Sequence, residues 1–327
     1  MIVRFEELKQ ELKRVLLKLN FPDAKAELCA DIFASNSRDG VYSHGLTRFP
    51  VFVEYVQDGT VNVNAEPEVL GRTGVIEHWS GNYAPGMYAA SLAMNRAIEL
   101  AKENGMGCVT LKETNHWMRG GTYGWQAADA GCVGICFTNT IANMPPWGGK
   151  EARLGNNPLV IAVPRPGGHV VLDMAMSQFS YGKLQETTLK GKKLPVPGGY
   201  NQAGELTVDP EEITESYRAL PIGFWKGSGL SFILDVLLTA LSGGRSVAEI
   251  SSAKKEAGVS QMFICINQPD YHADLIEKMI SYTKTSALAS EGDRISYPGE
   301  QTLATREKNM AEGIEVNDEI WQQVRSM

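Results

Sequence analysis

The sequence is short of cysteine, has no long apolar run, and carries none of the glycine signatures that commonly hold nucleotides. Each lack excludes something. Five cysteines in 327 residues (Cys29, Cys108, Cys132, Cys136 and Cys265) are an odd, widely spaced set, so a disulfide scaffold is excluded. Cys132 and Cys136 enclose three residues, which is neither a redox nor a zinc spacing. Buried, reduced thiols in a cytoplasmic protein are the expectation. No run approaches the roughly 18 apolar residues of a membrane span, so no membrane is expected as a partner. Residues 1–19 are amphipathic and charged, without the apolar centre of a signal peptide. Basic patches are missing too. The net charge is −7, the pI is near 5.4, and the densest basic run, Lys190–Lys193, is broken by Gly191. No nucleic acid is therefore expected as a partner.

Several catalytic signatures are also absent. No G-x-G-x-x-G follows a strand-like run; Gly227 and Gly229 have no third glycine and no strand before them. There is no Walker-A loop and no G-x-S-x-G elbow. The five histidines are scattered without ligand spacing, so no metal is expected.

What is present is a well-patterned chain. With 43% apolar and 21% charged residues it has the composition of a globular protein, built as one large or two interlocked domains. Phe5, Leu8, Leu12, Val15, Leu16 and Leu19 recur at helical spacing up to Pro22. Asp23 is a fair cap for a second helix reaching Asn36, and a third covers Leu46 to Gln57. The texture then changes. Strand-like runs at 75–79, 108–111, 133–138, 159–163, 170–174 and 262–266 are interleaved with helical patterns at 85–104, 122–130, 228–241 and 271–285. Two short helices, 303–312 and 318–324, end the chain, and the Pro/Gly-rich stretch 194–206 reads as a loop or hairpin. Helices alternating with buried strands predict an α/β fold with a covered sheet.

Three constellations could carry chemistry. The first is Ser43-His44-Gly45-Leu46-Thr47-Arg48. If a helix opens near Ser43, His44 and Arg48 share a face, pairing a group that titrates near neutral pH with a fork suited to a carboxylate. The second, Asn115-His116-Trp117-Met118-Arg119-Gly120-Gly121, follows an apolar strand, where α/β sheets collect ligands. The third, Phe224-Trp225-Lys226-Gly227-Ser228-Gly229, precedes an apolar helix and offers free N–H groups and a cation to a phosphate. Spacing alone leaves each open to a plainer reading as a cap, a turn or a solvated charge.

At these residues the chain resembles the type-2 malate/L-lactate dehydrogenases. Val41-Tyr42-Ser43-His44-Gly45 with Arg48-Phe49-Pro50 is similar to that family's N-terminal signature. Thr114-Asn115-His116, Gly121, Tyr123-Gly124, Gly155-Asn156-Asn157-Pro158, Asp173-Met174-Ala175-Met176-Ser177 and Lys226-Gly227-Ser228-Gly229-Leu230 also match, in order, over nearly the whole chain. The segments 40–45, 115–127, 144–148 and 225–229 are most like members that reduce a diketo sugar acid. Asn156 and Met176 stand where the wider family usually has Thr.

The resemblance implies an α/β fold with a non-Rossmann, three-layer mixed sheet and a helical second part built from both chain ends. That division puts residues 1–70 and 305–327 in the helical part and residues 71–304 in the cofactor-binding part. It implies reduction of a 2-keto acid, with NADH as cofactor and NADPH as the alternative, in an intertwined homodimer. Amphipathic helices over residues 1–60 that need a partner surface are consistent with a dimer. By the same resemblance His44 is the proton donor, protonated near neutral pH, while Arg48 and His116 orient the substrate. The cofactor would be touched by His169, Val170, Val171, Leu172, Asp173, Met174 and Ala175, by Trp225 and Lys226, and by Gly299, Glu300 and Gln301. Glu300, placed near a ribose, would favour NADH. Trp147, between Pro146 and Gly148, is expected to wall the pocket. Malate, lactate, ureidoglycolate or a cyclic imino acid remain alternative substrates on this scaffold. A silent dinucleotide-binding protein is the non-enzyme alternative, against which the intact His44, Arg48 and His116 speak.

Overall fold

The computed structural model describes residues 1–253, 255–268 and 270–327. It opens with a short strand, β1 (Ile2–Val3), and α1 (Phe5–Lys18), whose Leu8, Leu12, Val15 and Leu16 form one buried stripe. The second helix, α2 (Asp23–Arg38), begins with Asp23 already inside the first turn; Pro22, with its fixed φ, occupies the cap position instead. After α3 (Phe49–Gln57) the chain enters the sheet through β2 (Glu68–Thr73) and β3 (Ile76–Ser80). A long helix, α4 (Gly86–Asn104), carries it back to β4 (Met106–Asn115), followed by α5 (Gly121–Asp129) and β5 (Val133–Thr138). Next come β6 (Leu159–Val163), β7 (Val170–Met174) and α6 (Tyr181–Leu189). A small hairpin of β8 (Gly199–Tyr200) and β9 (Leu206–Thr207) occupies the expected loop, and α7 (Pro210–Ser216) closes it. The rest is α8 (Trp225–Ser242), α9 (Val247–Ser252), β10 (Ala257–Ile266), α10 (Ala273–Lys284), α11 (Glu300–Glu312), β11 (Ile314–Glu315) and α12 (Asp318–Ser326).

Among the described residues seven strands form a mixed sheet in the order β2-β3-β4-β10-β5-β6-β7. Only β3 and β4 run parallel, joined by the crossover helix α4; the other pairs are antiparallel. Strand residues alternate between two faces. Val109, Leu111, Cys136, Phe263 and Cys265 face α4 and α5, whereas Cys108, Phe137 and Met262 face α8, giving three layers. Ala89, Ala90, Ala93, Ala97 and Ala101 let α4 lie close to the sheet. All five cysteines are buried and free. None of the described helices is long and apolar enough to cross a membrane.

The helical part closes on both ends of the chain. Ile2 pairs with Glu315 and Val3 with Ile314. Trp321 and Val324 of α12 complete the core of α1, α2 and α3. The apolar faces of residues 1–60 are therefore covered within the chain, which corrects the expectation that they await a partner. The helical pattern showed their amphipathicity, but not that the cover lies more than 300 residues away in sequence.

One charged cluster clamps this part to the sheet. Asp39, at the end of α2, receives Arg119 at 2.8 Å, Arg306 at 2.7 Å and Arg38 at 2.9 Å. Arg119 also reaches Asp173 at 3.3 Å, and Asp173 accepts the Gly121 amide at 3.0 Å. Burial alone would raise the Asp39 carboxyl. The hydrogen bond from Arg306 and the charges of Arg119, Arg306 and Arg38 outweigh it and hold the group below its ordinary 3.8.

Removing the carboxylate leaves Arg119, which is only 5% exposed, with the longer contact to Asp173 alone. Asp39→Ala should lower the unfolding free energy at pH 7 by about 3–5 kcal/mol, the usual cost of removing one partner of a buried ion pair. A group depressed in the folded state contributes above its unfolded value and loses that contribution as pH falls through the folded one. The difference between wild type and variant in urea melts should therefore shrink once pH drops below 3.8.

Candidate active site

His44 sits between α2 and α3, where the chain makes two 3₁₀ turns, Tyr42–His44 and Leu46–Arg48. Gly45 separates them. A Cβ there would lie 2.2 Å from Ser37 Oγ, so only glycine lets this loop press onto α2. Buried Asn36 holds it: its Nδ2 donates to the His44 carbonyl at 2.9 Å, and its Oδ1 accepts Thr122 of α5 at 2.9 Å. The third helix thus starts at Phe49, with Pro50 in its first turn, rather than at Leu46. His44 and Arg48 are not one turn apart on an α-helix; the broken 3₁₀ path brings them into the same site.

His116 follows β4. Gly86, at the start of α4, packs where a Cβ would fall 2.1 Å from the Asn115 carbonyl and 2.4 Å from that of His116. Asn115 is buried and donates to the carbonyls of Tyr83 at 2.8 Å and Ala84 at 3.0 Å. These contacts fix the backbone that presents His116. Its ring stacks on that of His44, centroids 5.6 Å apart and planes 13° from parallel. His116 Nδ1 accepts the Met118 amide at 3.0 Å, so the neutral ring carries its proton on Nε2. Ser43 Oγ lies 3.2 Å from His44 Nδ1. Arg48 and His116 line one slot with Val51, Phe52 and Tyr55. The Arg48 guanidinium makes no hydrogen bond or ion pair among the described residues. The structure thus brings His44, Arg48 and His116 together.

The electrostatics differ from the expectation in one respect. Burial pushes His44 down to about 4, with Arg48 and Arg119 adding to the fall and Asp173 opposing it. His116 is pushed well down by burial, then by Arg48 and His44. Both rings are neutral at pH 7 in the ligand-free protein, so His44 is not protonated near neutral pH as the motif alone suggested. An imidazole among guanidinium groups and away from water disfavours a second positive charge.

The expected cofactor residues fall along β7, an edge strand. Val170, Val171, Leu172, Asp173 and Met174 form it, a span of roughly 17 Å at about 3.4 Å per residue. His169 lies at its far end, tied to Asp129 at 2.9 Å and to the Arg165 amide at 3.0 Å. Gly299, Glu300 and Gln301 begin α11 beside that end, where the Pro298 carbonyl accepts the Val171 amide at 2.9 Å. Asp173 and Ala175 lie at the His44 end, and Trp225 and Lys226 approach there because Ile222 donates to the Met176 carbonyl at 2.8 Å. Residues suited to a dinucleotide are present: Trp225 is 64% exposed, and the Lys226 ammonium is unpaired among the described residues.

Two details change. The amides of Lys226, Gly227 and Ser228 already donate to Gly223, Ile222 and Phe224, so the start of α8 is not the open N–H cradle that its glycines suggested. Glu300 is held by Lys284 and by Arg294 at 3.3 Å, so its carboxylate is not free for a ribose. Trp147 packs against Phe224 with ring centroids 5.3 Å apart, over the start of α8.

A groove of about 710 Å³ lies elsewhere, between α2 and α5. Its walls include Asp23, Glu27, Asp31, Asp39 and Asp129 beside Lys9, Arg38 and Arg306, so its charges are largely paired with one another. No described cluster of His, Cys, Asp or Glu could hold a metal ion. Sequence reading missed Asn36 and Asp39, whose importance is set by partners in α5 and α11 and leaves no local pattern.

Paired imidazoles and an unpaired guanidinium at the end of a mixed, non-Rossmann sheet are chemically suited to a small anion. The chain belongs to the malate/L-lactate dehydrogenase family, whose model matches residues 3–325. It is 44% identical to the 2,3-diketo-L-gulonate reductase of Citrobacter koseri, over 100% of both chains. Among solved structures it is similar to malate dehydrogenase from Entamoeba histolytica, with a TM-score of 0.94 and 25% identity over 100% of this chain and 96% of that one. It is also similar to sulfolactate dehydrogenase from Methanocaldococcus jannaschii, with a TM-score of 0.89 and 29% identity over 99% and 95%.

The imidazole assignment has a direct spectroscopic check. Nitrogen-resolved NMR of the ligand-free protein at pH 7 should show His116 as the neutral Nε2–H form, and His44 neutral with a midpoint near 4. A His44 midpoint near 6.5 would contradict the desolvated site.

Proposed function

We propose that this enzyme reduces 2,3-diketo-L-gulonate to 3-dehydro-L-gulonate with NADH. The observation that carries the reading is the convergence of His44, His116 and unpaired Arg48, in a chain with a full-length reductase relative. In this reading residues 1–70 and 305–327 supply His44 and Arg48, and residues 71–304 hold the cofactor along β7. NADPH is the alternative cofactor. The five unpaired thiols fit a reducing cytoplasm.

Residues of β7, with Trp225 and Lys226, would hold a nicotinamide cofactor, which would supply the hydride. Arg48 binds the substrate carboxylate as a fork and fixes which face of the C2 ketone is presented. The His116 Nε2–H donates to the neighbouring keto or hydroxyl oxygen. His44 delivers the proton to the C2 oxygen. The arriving carboxylate offsets the charge of Arg48, one of the groups that depress His44, so substrate binding itself promotes protonation of the donor.

The test is turnover. His44→Ala should cut kcat by roughly 10²–10⁴-fold, the usual contribution of a positioned acid, with NADH binding by fluorescence unchanged. Because kcat/KM reports the free enzyme, reduction should slow by about tenfold per pH unit above pH 5. Oxidation of the product should instead reach a plateau there. A wild type that reduces none of a panel of 2-keto acids would refute the reading.

A homodimer is part of the proposal, on a different surface from residues 1–60. Phe232, Ile233, Val236, Leu237 and Leu241 form an exposed apolar stripe on α8, with Phe232 58% exposed. On α10, Leu275, Met279 and Tyr282 are also exposed, Tyr282 by 82%. Sedimentation should give twice the chain mass of 35.7 kDa. The double variant Phe232→Asp, Val236→Asp should sediment as a monomer.

A further inference from the structure

Glu256 is a charged residue that the mechanism above leaves unused. It directly precedes β10, and Ala257 pairs with Asn115 in the antiparallel register of β10 and β4. Glu256 is therefore set across from His116, at the end of the sheet where the site lies. The register breaks there, between Ala257 and Val259, and Gly258 takes a φ of 71°. A bulge at such a place turns the neighbouring side chains out of the regular alternation. Lys255 anchors the approach through an ion pair with Asp58 at 2.7 Å. Glu256 itself makes no ion pair or hydrogen bond among the described residues. Its carboxylate lies within the field of Arg48, without pairing to it, and within that of Tyr217. Burial raises the carboxyl above its ordinary 4.5 while Arg48 opposes the rise.

Two opposite charges that feel one another and do not pair leave room for something between them. A half-buried carboxylate without donors is costly, and the cost is recovered when a ligand brings donors. An ionised carboxylate only accepts hydrogen bonds. The groups it can take from a 2-keto acid are hydroxyls on the carbon chain, while Arg48 takes the acid's own carboxylate. A second carboxylate on the ligand would instead meet a like charge, and repulsion of that kind discriminates as effectively as attraction.

We propose that Glu256 is a specificity-determining residue that accepts hydrogen bonds from the hydroxyl groups of a polyhydroxylated 2-keto acid and repels dicarboxylates. The proposal rests on reading His44, Arg48 and His116 as a 2-keto acid site. It makes the substrate class a matter of one side chain's charge: polyhydroxy monocarboxylates are accepted, and short dicarboxylates such as oxaloacetate are rejected.

The experiment compares wild type, Glu256→Gln and Glu256→Leu on 2,3-diketo-L-gulonate, pyruvate and oxaloacetate. Glu256→Leu should lower kcat/KM for the diketo acid by roughly tenfold or more, as expected for losing hydrogen bonds to a charged group, with little change for pyruvate. Glu256→Gln, which keeps an acceptor but loses the charge, should retain most activity on the diketo acid and gain activity on oxaloacetate. Equal losses on all three substrates would assign Glu256 to the fold or to placing Arg48, and would overturn the proposal. So would unchanged ratios. The underlying reading fails separately, if wild type reduces none of the three. In that event calorimetric binding of L-gulonate and L-malate still reads Glu256 alone. Glu256→Gln should then tighten L-malate and Glu256→Leu should weaken L-gulonate, and identical binding in all three proteins overturns the proposal.

Discussion

The carboxylate of Asp39 carries three guanidinium groups, and the placement of the whole site depends on it. Arg38 belongs to the same helix, Arg119 to the turn after β4, and Arg306 to α11. Through Arg119 the cluster continues to Asp173 on β7. Segments from the start, middle and end of the chain are thereby fixed to one another at the point where His44 must meet His116. Burial depresses His44; within the cluster Asp173 opposes that fall and Arg119 adds to it, as Arg48 does from outside. The unpaired charge of Arg48 leaves the site suited to an anion.

The three layers divide their labour unevenly. On the α4 face, a row of alanines brings helix and sheet close together, and that face is fully covered. On the other face α8 sends only part of its surface inward. Leu234 and Leu238 pack on the sheet, while Phe232, Ile233, Val236 and Leu237 point away from it. A helix apolar on both sides has a second neighbour to find. The N-terminal helices, which are conspicuously amphipathic in sequence, have found theirs in α12.

Elements with strong periodicity were legible from the sequence. The helices at Phe5, Asp23 and Pro85 and the strands at 133–138, 159–163 and 170–174 stand where their patterns put them. Short elements were not: β1 and β11 are two-residue strands that exist because Ile2 and Glu315 meet, which no local pattern announces. The short helices α6 and α7 were likewise missed: among the described residues each sends one fully buried apolar anchor into the core, Leu184 and Ile213, and so shows no apolar repeat to read. Strand direction was hidden as well. A buried strand reads alike whichever way it runs, and the sheet proves largely antiparallel. In the site, His44, Arg48 and His116 were visible as motif residues. The protonation of His44 was not, because desolvation and the nearness of Arg119 are properties of the folded arrangement. Gly227 shows the reverse error: its glycine neighbourhood promised open amides, and the turn at Ile222 had already used them.

The closure of the helical part by both chain ends also sets an order of events during synthesis. Asp39 and Arg306 lie 267 residues apart, and Trp321 and Val324 come later still. At roughly 5–20 residues per second, the segment bearing His44 waits about 13–50 s after emerging before its clamp and its core can be completed. The sheet, whose strands are all made earlier, can assemble in the meantime and present His116 to an unfinished neighbour. Nascent chains therefore complete β7 and the turn that bears His116 before His44 is locked in place. Ribosome-bound or truncated chains lacking the final helix would hold β7 and His116 beside an unfinished helical part.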